Sequence, residues 1–344
     1  MCISKSRHAI AVTKALTAVM TKAIPALGFA VLLSSAVQAQ SQQAAQAYPA
    51  KPVTMIVAFP PGGGTDIVAR KLAQSLNTLW NQPVIVENKG GAGGTIGTAM
   101  AARAEPSGYT VMLATLGNMA INQHLYKMEI DPVKDLAAIT NVVGVDFVLV
   151  AHPNLPVKNV QELITLAKQK PGKLNYSSSG MGGAPHLAIE LLMSMTGAKF
   201  THVPYKGSGP SIADLVGGQV DFTMDSLVQS LPQIQSGRLK AIAVLGAKRS
   251  PLLPDVPTIA ESGVPGYEFT NWFGLVAPAA TPKEVIAKLN KDAVGVLAQP
   301  DLNSQLEKMG ATVIANTSAQ FEQQIQSDSL KWGKIIKEGG IKAD

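Results

Sequence analysis

Cysteine is the scarcest residue in this chain: one in 344, at position 2. Past that position no disulfide, thiolate nucleophile or cysteine metal site can form. Arginine is nearly as sparse beyond residue 39, where only Arg70, Arg103, Arg238 and Arg249 occur. Histidine is limited there to His124, His152, His186 and His202, and no two of them have metal-ligand spacing. Long apolar runs are missing too. The best candidate, residues 136–151, is broken by Asn141 and Asp146 and falls short of the roughly 20 residues a span needs. Catalytic signatures fail in turn, with no G-x-S-x-G elbow, no phosphate-loop motif and no H-E-x-x-H. The run GGAGGTIG resembles a dinucleotide fingerprint, but Ile96 stands where the third glycine should be. No enzyme, metal or cofactor is expected.

The amino terminus reads as an export signal. Lys5, Arg7, Lys14 and Lys22 form a basic stretch, residues 24–36 are apolar, and Val37-Gln38-Ala39 offers small residues to a peptidase. Residues 1–39 are therefore expected to be removed after Ala39. Ala45-Gln46-Ala47 is a second possible site, and Met20 a possible true start. Residues 40–47, mostly Ala and Gln, read as a flexible lead-in. Without the leader the chain carries 25 Lys and Arg against 23 Asp and Glu, with no basic cluster. That balance argues against a nucleic-acid partner. A soluble, monomeric, periplasmic protein is expected.

Strand and helix patterns alternate from residue 53 onward, predicting an α/β architecture with mainly parallel sheets. Strands are expected at 53–59, 83–87, 109–114, 145–151, 200–204, 220–224 and 240–245. Extended apolar segments near 146–150 and 271–276 read as two crossings between lobes. They place residues 48–147 plus 273–344 in lobe 1 and residues 148–272 in lobe 2. Two helix starts carry capping-box spacing, Thr281 with Glu284 and Thr317 with Gln320.

What the chain does have is a pair of glycine-rich turns, each leaving a strand and opening an amphipathic helix. The first is PPGGGTD, residues 60–66, and the second is SGMGGAPH, residues 179–186. Glycines leave backbone N–H groups at a helix start unshielded, and the helix dipole adds positive potential there, which suits an anion. Two such turns suggest two lobes gripping one anionic ligand with neutral donors. Asp66 could cap its helix and pair with Arg70 one turn on, ordering the donor loop. His186 reads equally well as a buried, hydrogen-bonded ring or as a ligand contact. Asp225, after the strand 220–224, sits where a strand end meets a crevice. Trp272 and Phe273 could line a pocket or fill the hinge core.

The blocks AFPPGGGTDIVARKLA, ENKGGAGGTIGTAMAA, YSSSGMGGAPHLAIELL, HVPYKGSGPSIADLVGGQVDF and LPDVPTIAESGVPG resemble the Bug receptors. These are extracytoplasmic solute-binding proteins of tripartite tricarboxylate transporters. The likeness runs from Tyr48 to near the carboxyl terminus. It implies a two-lobed periplasmic-binding-protein fold of the Venus-flytrap type (type II). It also implies a ligand carboxylate held by both turns, partly through water. Carried onto this chain, the first turn is Phe59, Pro60, Pro61, Gly62, Gly63 and Gly64, with Asp66. The second turn is Ser178, Ser179, Gly180 and Gly183, with His186. Thr115 and Asp225 match positions facing the family's cleft, and Tyr205 is expected toward the far end of the pocket. Ala184-Pro185 stands where Ser or another small residue is expected. Partners implied are a small carboxylate (a di- or tricarboxylate, an aromatic carboxylate or an amino acid) and the membrane subunits of a transporter. A co-receptor for a membrane sensor kinase is the alternative, and a periplasmic enzyme the more distant one.

Overall fold

The computed structural model of the protein describes residues 48–341. The signal peptide, the lead-in, and the sites at Ala39, 45–47 and Met20 lie outside those residues. Eleven strands form two sheets, and the chain visits the first sheet, then the second, then returns. β1 (Val53–Val57), β2 (Val84–Asn88), β3 (Thr110–Thr115), β4 (Leu136–Val145), β10 (Asn271–Pro278) and β11 (Ala311–Val313) make a six-stranded sheet in the order β11-β4-β10-β3-β1-β2. β5 (Phe147–Ala151), β6 (Asn175–Ser178), β7 (Thr201–Pro204), β8 (Phe222–Ser226) and β9 (Lys240–Val244) make the second, in the order β7-β6-β8-β5-β9.

Both sheets are mixed, which corrects the expectation of mainly parallel ones. Four pairings are parallel and five antiparallel. The parallel ones gather around β1 and β6, where strand-turn-helix units feed successive strands in one direction. The antiparallel ones come from the crossing segments. β4 leaves the first sheet and β10 returns to it, so these two run in opposite senses side by side. β5 enters the second sheet between β8 and β9 and opposes both. A segment connecting two bodies must enter against the local strand direction; alternation of strands and helices does not reveal this.

Local chemistry explains why the glycine turns pass into helices. Gly63 is extended (φ −80°, ψ 164°) and the helix Gly64–Trp80 begins directly after it. Val68, Ala69, Leu72, Ala73 and Leu76 bury one stripe of that helix, at the spacing an amphipathic helix needs. The stripe packs on β1 and β2 and against the helix Lys283–Leu297. In the second sheet's half, Val148, Val150, Ile212, Leu215 and Leu231 form the core under β5. The box at Thr317 and Gln320 is made, with both reciprocal bonds present. The one expected at Thr281 is not: the helix starts from Pro282, and Thr281 Oγ1 is buried without a partner.

Candidate functional site

The two glycine turns face each other. They line one small cavity of about 40 Å³ together with residues from four strand ends. Gly63, Gly64 and Thr65 come from the first turn; Ser179, Ala184 and Pro185 come from the second. Phe59 and Thr115 close the side of the first sheet, and Asp225 that of the second. A volume of that size has room for a few ordered waters, so an organic acid between the same walls needs the two halves set slightly further apart than here. Contacts also join the halves beside the cavity. Tyr126 donates to the Met181 carbonyl at 2.7 Å, and a Cβ on Gly93 would lie 2.3 Å from that same oxygen.

The first turn is ordered by Asp66. Its Oδ2 accepts from Gly62 N at 2.9 Å and from Arg70 Nε at 3.0 Å, while Oδ1 accepts from Asn88 Nδ2 at 2.9 Å. Asn88 Nδ2 also reaches the Phe59 carbonyl at 2.9 Å, so both ends of the turn are tied to one side chain. Burial pushes the Asp66 carboxyl up, but hydrogen bonds from Arg70, Gly62 and Asn88 outweigh it and hold the group below the ordinary range. Asp66 is saturated and stands behind the cavity wall as a positioning residue. Asp66→Ala is expected to cost about 2 kcal/mol by stranding Gly62 N and the Arg70 fork. A denaturant melt of the variant at neutral pH checks this; an unchanged midpoint excludes that role.

The second turn spends most of its glycine amides internally. Gly180 N donates to Ser178 Oγ, Gly182 N to His186 Nδ1, and Gly183 N to the Gly180 carbonyl, at 3.1, 3.2 and 3.1 Å. Gly62 N in the first turn is committed in the same way. The glycine amides expected as donors at Gly62, Gly180 and Gly183 therefore serve the turns' own shape. The turn residues that line the cavity are Gly63, Gly64, Thr65 and Ala184 at the two helix starts and Ser179 just past the end of β6. The reason is steric. A loop with several glycines has too much freedom to stay open, and hydrogen bonds to its own side chains remove that freedom.

His186 belongs to that bracing. It stacks on His202 (centroids 4.4 Å apart), which stacks on Tyr176 (4.7 Å). Its Nδ1 accepts from the backbone, so the proton sits on Nε2, 3.5 Å from Glu190. Burial, with His202 adding to it, lowers the His186 ring to about 3, and burial lowers His202 to about 4. Ser178 Oγ lies 2.6 Å from His202 Nε2, extending the brace to the strand that precedes the turn. His186 and Ser178 are off the cavity wall. Tyr205 is off it as well: its hydroxyl donates to Asp214 at 2.6 Å, and burial together with that carboxylate raises it to about 12. Pro60 packs against Gly90 and Gly207 at the seam between the halves, and the Pro61 carbonyl faces Gly209 there.

Thr115 and Asp225 do reach the cavity. Thr115 is fixed by Asn118, whose Oδ1 accepts from both its N–H and its hydroxyl. Asp225 lies inside β8, not beyond its end, and is fully buried. Ser208, Ser226 and Asn271 also line the wall and are not among the residues expected from the sequence. Ser208 opens the helix Ser208–Val216. Asn271 is the partner of a choice left open: strand alternation puts Asn271 and Phe273 on the cavity face, and Trp272 opposite. Trp272 donates to Asp328 at 2.8 Å and meets Phe321 edge-on, as a core residue does. That two-residue period was the signal available at 271.

The fold and the family have known relatives. Residues 68–341 match the family described as tripartite tricarboxylate transporter family receptor. The periplasmic binding protein BugD is 38% identical, with a TM-score of 0.82 over 86% of this chain and 99% of that one. R. palustris Rpa4515, solved with adipate, is 36% identical, with a TM-score of 0.83 over 86% and 99%. MatC (Rpa3494) from Rhodopseudomonas palustris, solved with bound malate, is 32% identical, with a TM-score of 0.81 over 84% and 100%. The fold is the two-lobed periplasmic-binding-protein fold, and these relatives are binding proteins, not enzymes. No helix among the described residues is long and apolar enough to cross a membrane.

Proposed function

The chain belongs to the tripartite tricarboxylate transporter family of receptors, and from that premise we propose that it captures a small carboxylate between its lobes and presents the closed form to membrane subunits of a transporter. The carrying observation is the convergence of both glycine turns on one cavity: helix-start residues Gly63, Gly64 and Thr65 on one side, and Ser179 at the strand end with Ala184 at the helix start on the other. No Arg or Lys lines it, so capture leaves no unpaired cation when the cleft opens. Adipate in Rpa4515 and malate in MatC support a carboxylate as the guest.

In this reading residues 48–147 with 273–344 form lobe 1, residues 148–272 form lobe 2, and the lobes hinge at the two crossings. Asp146 marks the first crossing: its N–H donates to the Gly310 carbonyl, and its own carbonyl accepts from Leu227 N. The guest shifts the balance toward closure because only the closed form offers it donors from both turns. Membership of the family, with the leader expected at residues 1–39, supports the periplasm as the place of this work.

Heating the protein with a panel of di-, tri- and aromatic carboxylates and amino acids tests the reading. A guest at about 100 times its Kd adds about 2.7 kcal/mol to stability. A melting temperature unmoved by every member of the panel removes the carboxylate reading.

A further inference from the structure

Beside the two glycine turns, the cavity is lined by Asp225 on β8 and Asn271 on β10. One oxygen of Asp225 is occupied, Oδ1 accepting from Ser208 Oγ at 3.1 Å and from Ser226 N at 2.6 Å. The other, Oδ2, is buried with no partner, and so is Asn271 Oδ1. Two orphaned acceptors facing one cavity, one of them a carboxylate oxygen, are costly unless a donor meets them. A second ligand carboxylate meets this pair poorly, since it brings like charge and further acceptors to two acceptor oxygens.

Building on the carboxylate reading above, we propose that the guest also carries a protonated amine seated on Asp225 Oδ2 and Asn271 Oδ1, so that the receptor takes an amino acid. An ammonium brings three donors and the opposite charge, enough to meet both acceptors at once. The two seats come from different sheets: Asp225 belongs to the second, and Asn271 opens the strand that returns to the first at the second crossing, so the amine ties β8 to the hinge. A zwitterion thus has one charged end for the turns and one for this pair, and its distal side chain is left to face Phe59 and Phe273.

Proton linkage separates this guest from a dicarboxylate. Asp225 is the only ionisable side chain on the cavity wall, and burial pushes its carboxyl up to about 6. An ammonium favours the ionised carboxylate, so binding an amino acid expels the proton and weakens in acid. Affinity should be about fourfold lower at pH 5.5 than at pH 7.5, from the fraction of Asp225 still ionised. A dicarboxylate has the opposite sign, taking up a proton and tightening in acid.

Isothermal titration with the twenty amino acids, lactate, malate and succinate, at both pH values, decides the matter. The expected result is an amino acid bound at least 100-fold more tightly than any of the three other acids, with the fourfold loss at pH 5.5. In Asp225→Asn that preference should fall below tenfold. If that variant does not fold, Asn271→Leu should weaken the amino acid by about tenfold and leave any lactate binding within twofold. Tightest binding of succinate or malate, strengthening toward pH 5.5, overturns the amine seat and leaves the carboxylate receptor standing. Binding of none of these acids overturns the amine seat, and the carboxylate reading then stands or falls with the tri- and aromatic carboxylates of the wider panel.

Discussion

Gly64→Val should abolish ligand capture while the unliganded protein still folds. A Cβ on Gly64 would stand 2.5 Å from Ser226 Oγ and 3.4 Å from its Cβ, across the seam where the first turn meets β8. Real Cβ atoms do not approach an oxygen so closely, and the two further carbons of the valine would reach deeper toward the buried Ser226 and Val228, whose Cβ lies 3.6 Å away. The remaining way out is for the lobes to stay apart, which removes one set of donors from the guest. Gly64 has ordinary helical backbone, so the substitution leaves the helix Gly64–Trp80 intact in the open form. The expected loss of affinity exceeds 100-fold, more than about 2.7 kcal/mol. Titration calorimetry on the ligand found by the panel, beside a melt of the free variant, measures both quantities. Gly63→Ala is the control, because nothing lies closer than 3.9 Å to its Cβ and its affinity should stay within about threefold. Equal losses in the two variants would mean that closure does not pass through Gly64.

Acid should weaken this protein more than its surface charges suggest. His186 and His202 have folded values of about 3 and about 4, below their ordinary 6.5. Between those limits the unfolded chain binds protons that the folded one refuses. The stability they contribute is therefore complete above pH 6.5 and is lost as pH falls toward the folded values. Asp225 works the other way. Its folded value of about 6 exceeds its ordinary 3.8, so it gains relative stability as pH falls through 6. Two rings against one carboxyl leave a net loss of about 3 kcal/mol between pH 7.5 and pH 5. Denaturant melts across that range measure it. Asp225→Asn should steepen the decline, and a flat profile in the parent protein would show that the stacked rings accept protons freely.

The same chemistry links acid to function. A proton on His186 Nδ1 would face the Gly182 N–H that now donates to it. Donor against donor breaks the bond and releases the second turn. The brace and the binding loop thus share one hydrogen bond, and loosening the rings loosens the grip.

Much of this was legible in the residues. The turn at 60–66 announces itself because only glycines let a chain pass from a buried strand into a helix with its amides bare. Asp66 and Arg70, one helical turn apart, predict their ion pair, and it forms at 2.9 Å. The stripe through Leu72 and Leu76 fixes which face of the first helix is buried. Thr317 and Gln320 form their cap because both partners lie within three residues. Asp225 was singled out from its place at a strand end, although it proved to lie one turn of the pleat further in.

Other features are invisible along the chain because their partners are remote in it. Gly182 is satisfied by a ring four residues away, but that ring is set by His202 and Tyr176 on neighbouring strands. Thr281 has the sequence of a cap and lacks its geometry, since Pro282 and the packing below it fix the helix start first. Asn271 gains its meaning only from Asp225, 46 positions earlier and in the other sheet.

By itself, then, the amino-acid sequence determined the local devices: where turns bare their amides, which helix faces are apolar, and that no cation would hold the guest. Those follow from interactions among residues a few positions apart, whose geometry the backbone dictates. The tertiary structure alone decided which amides remain free, which way the crossing strands run, and that two acceptors without partners line the same small cavity as the turns. Burial and orphaned hydrogen bonds are properties of surroundings, and the surroundings here are assembled from segments far apart in the chain.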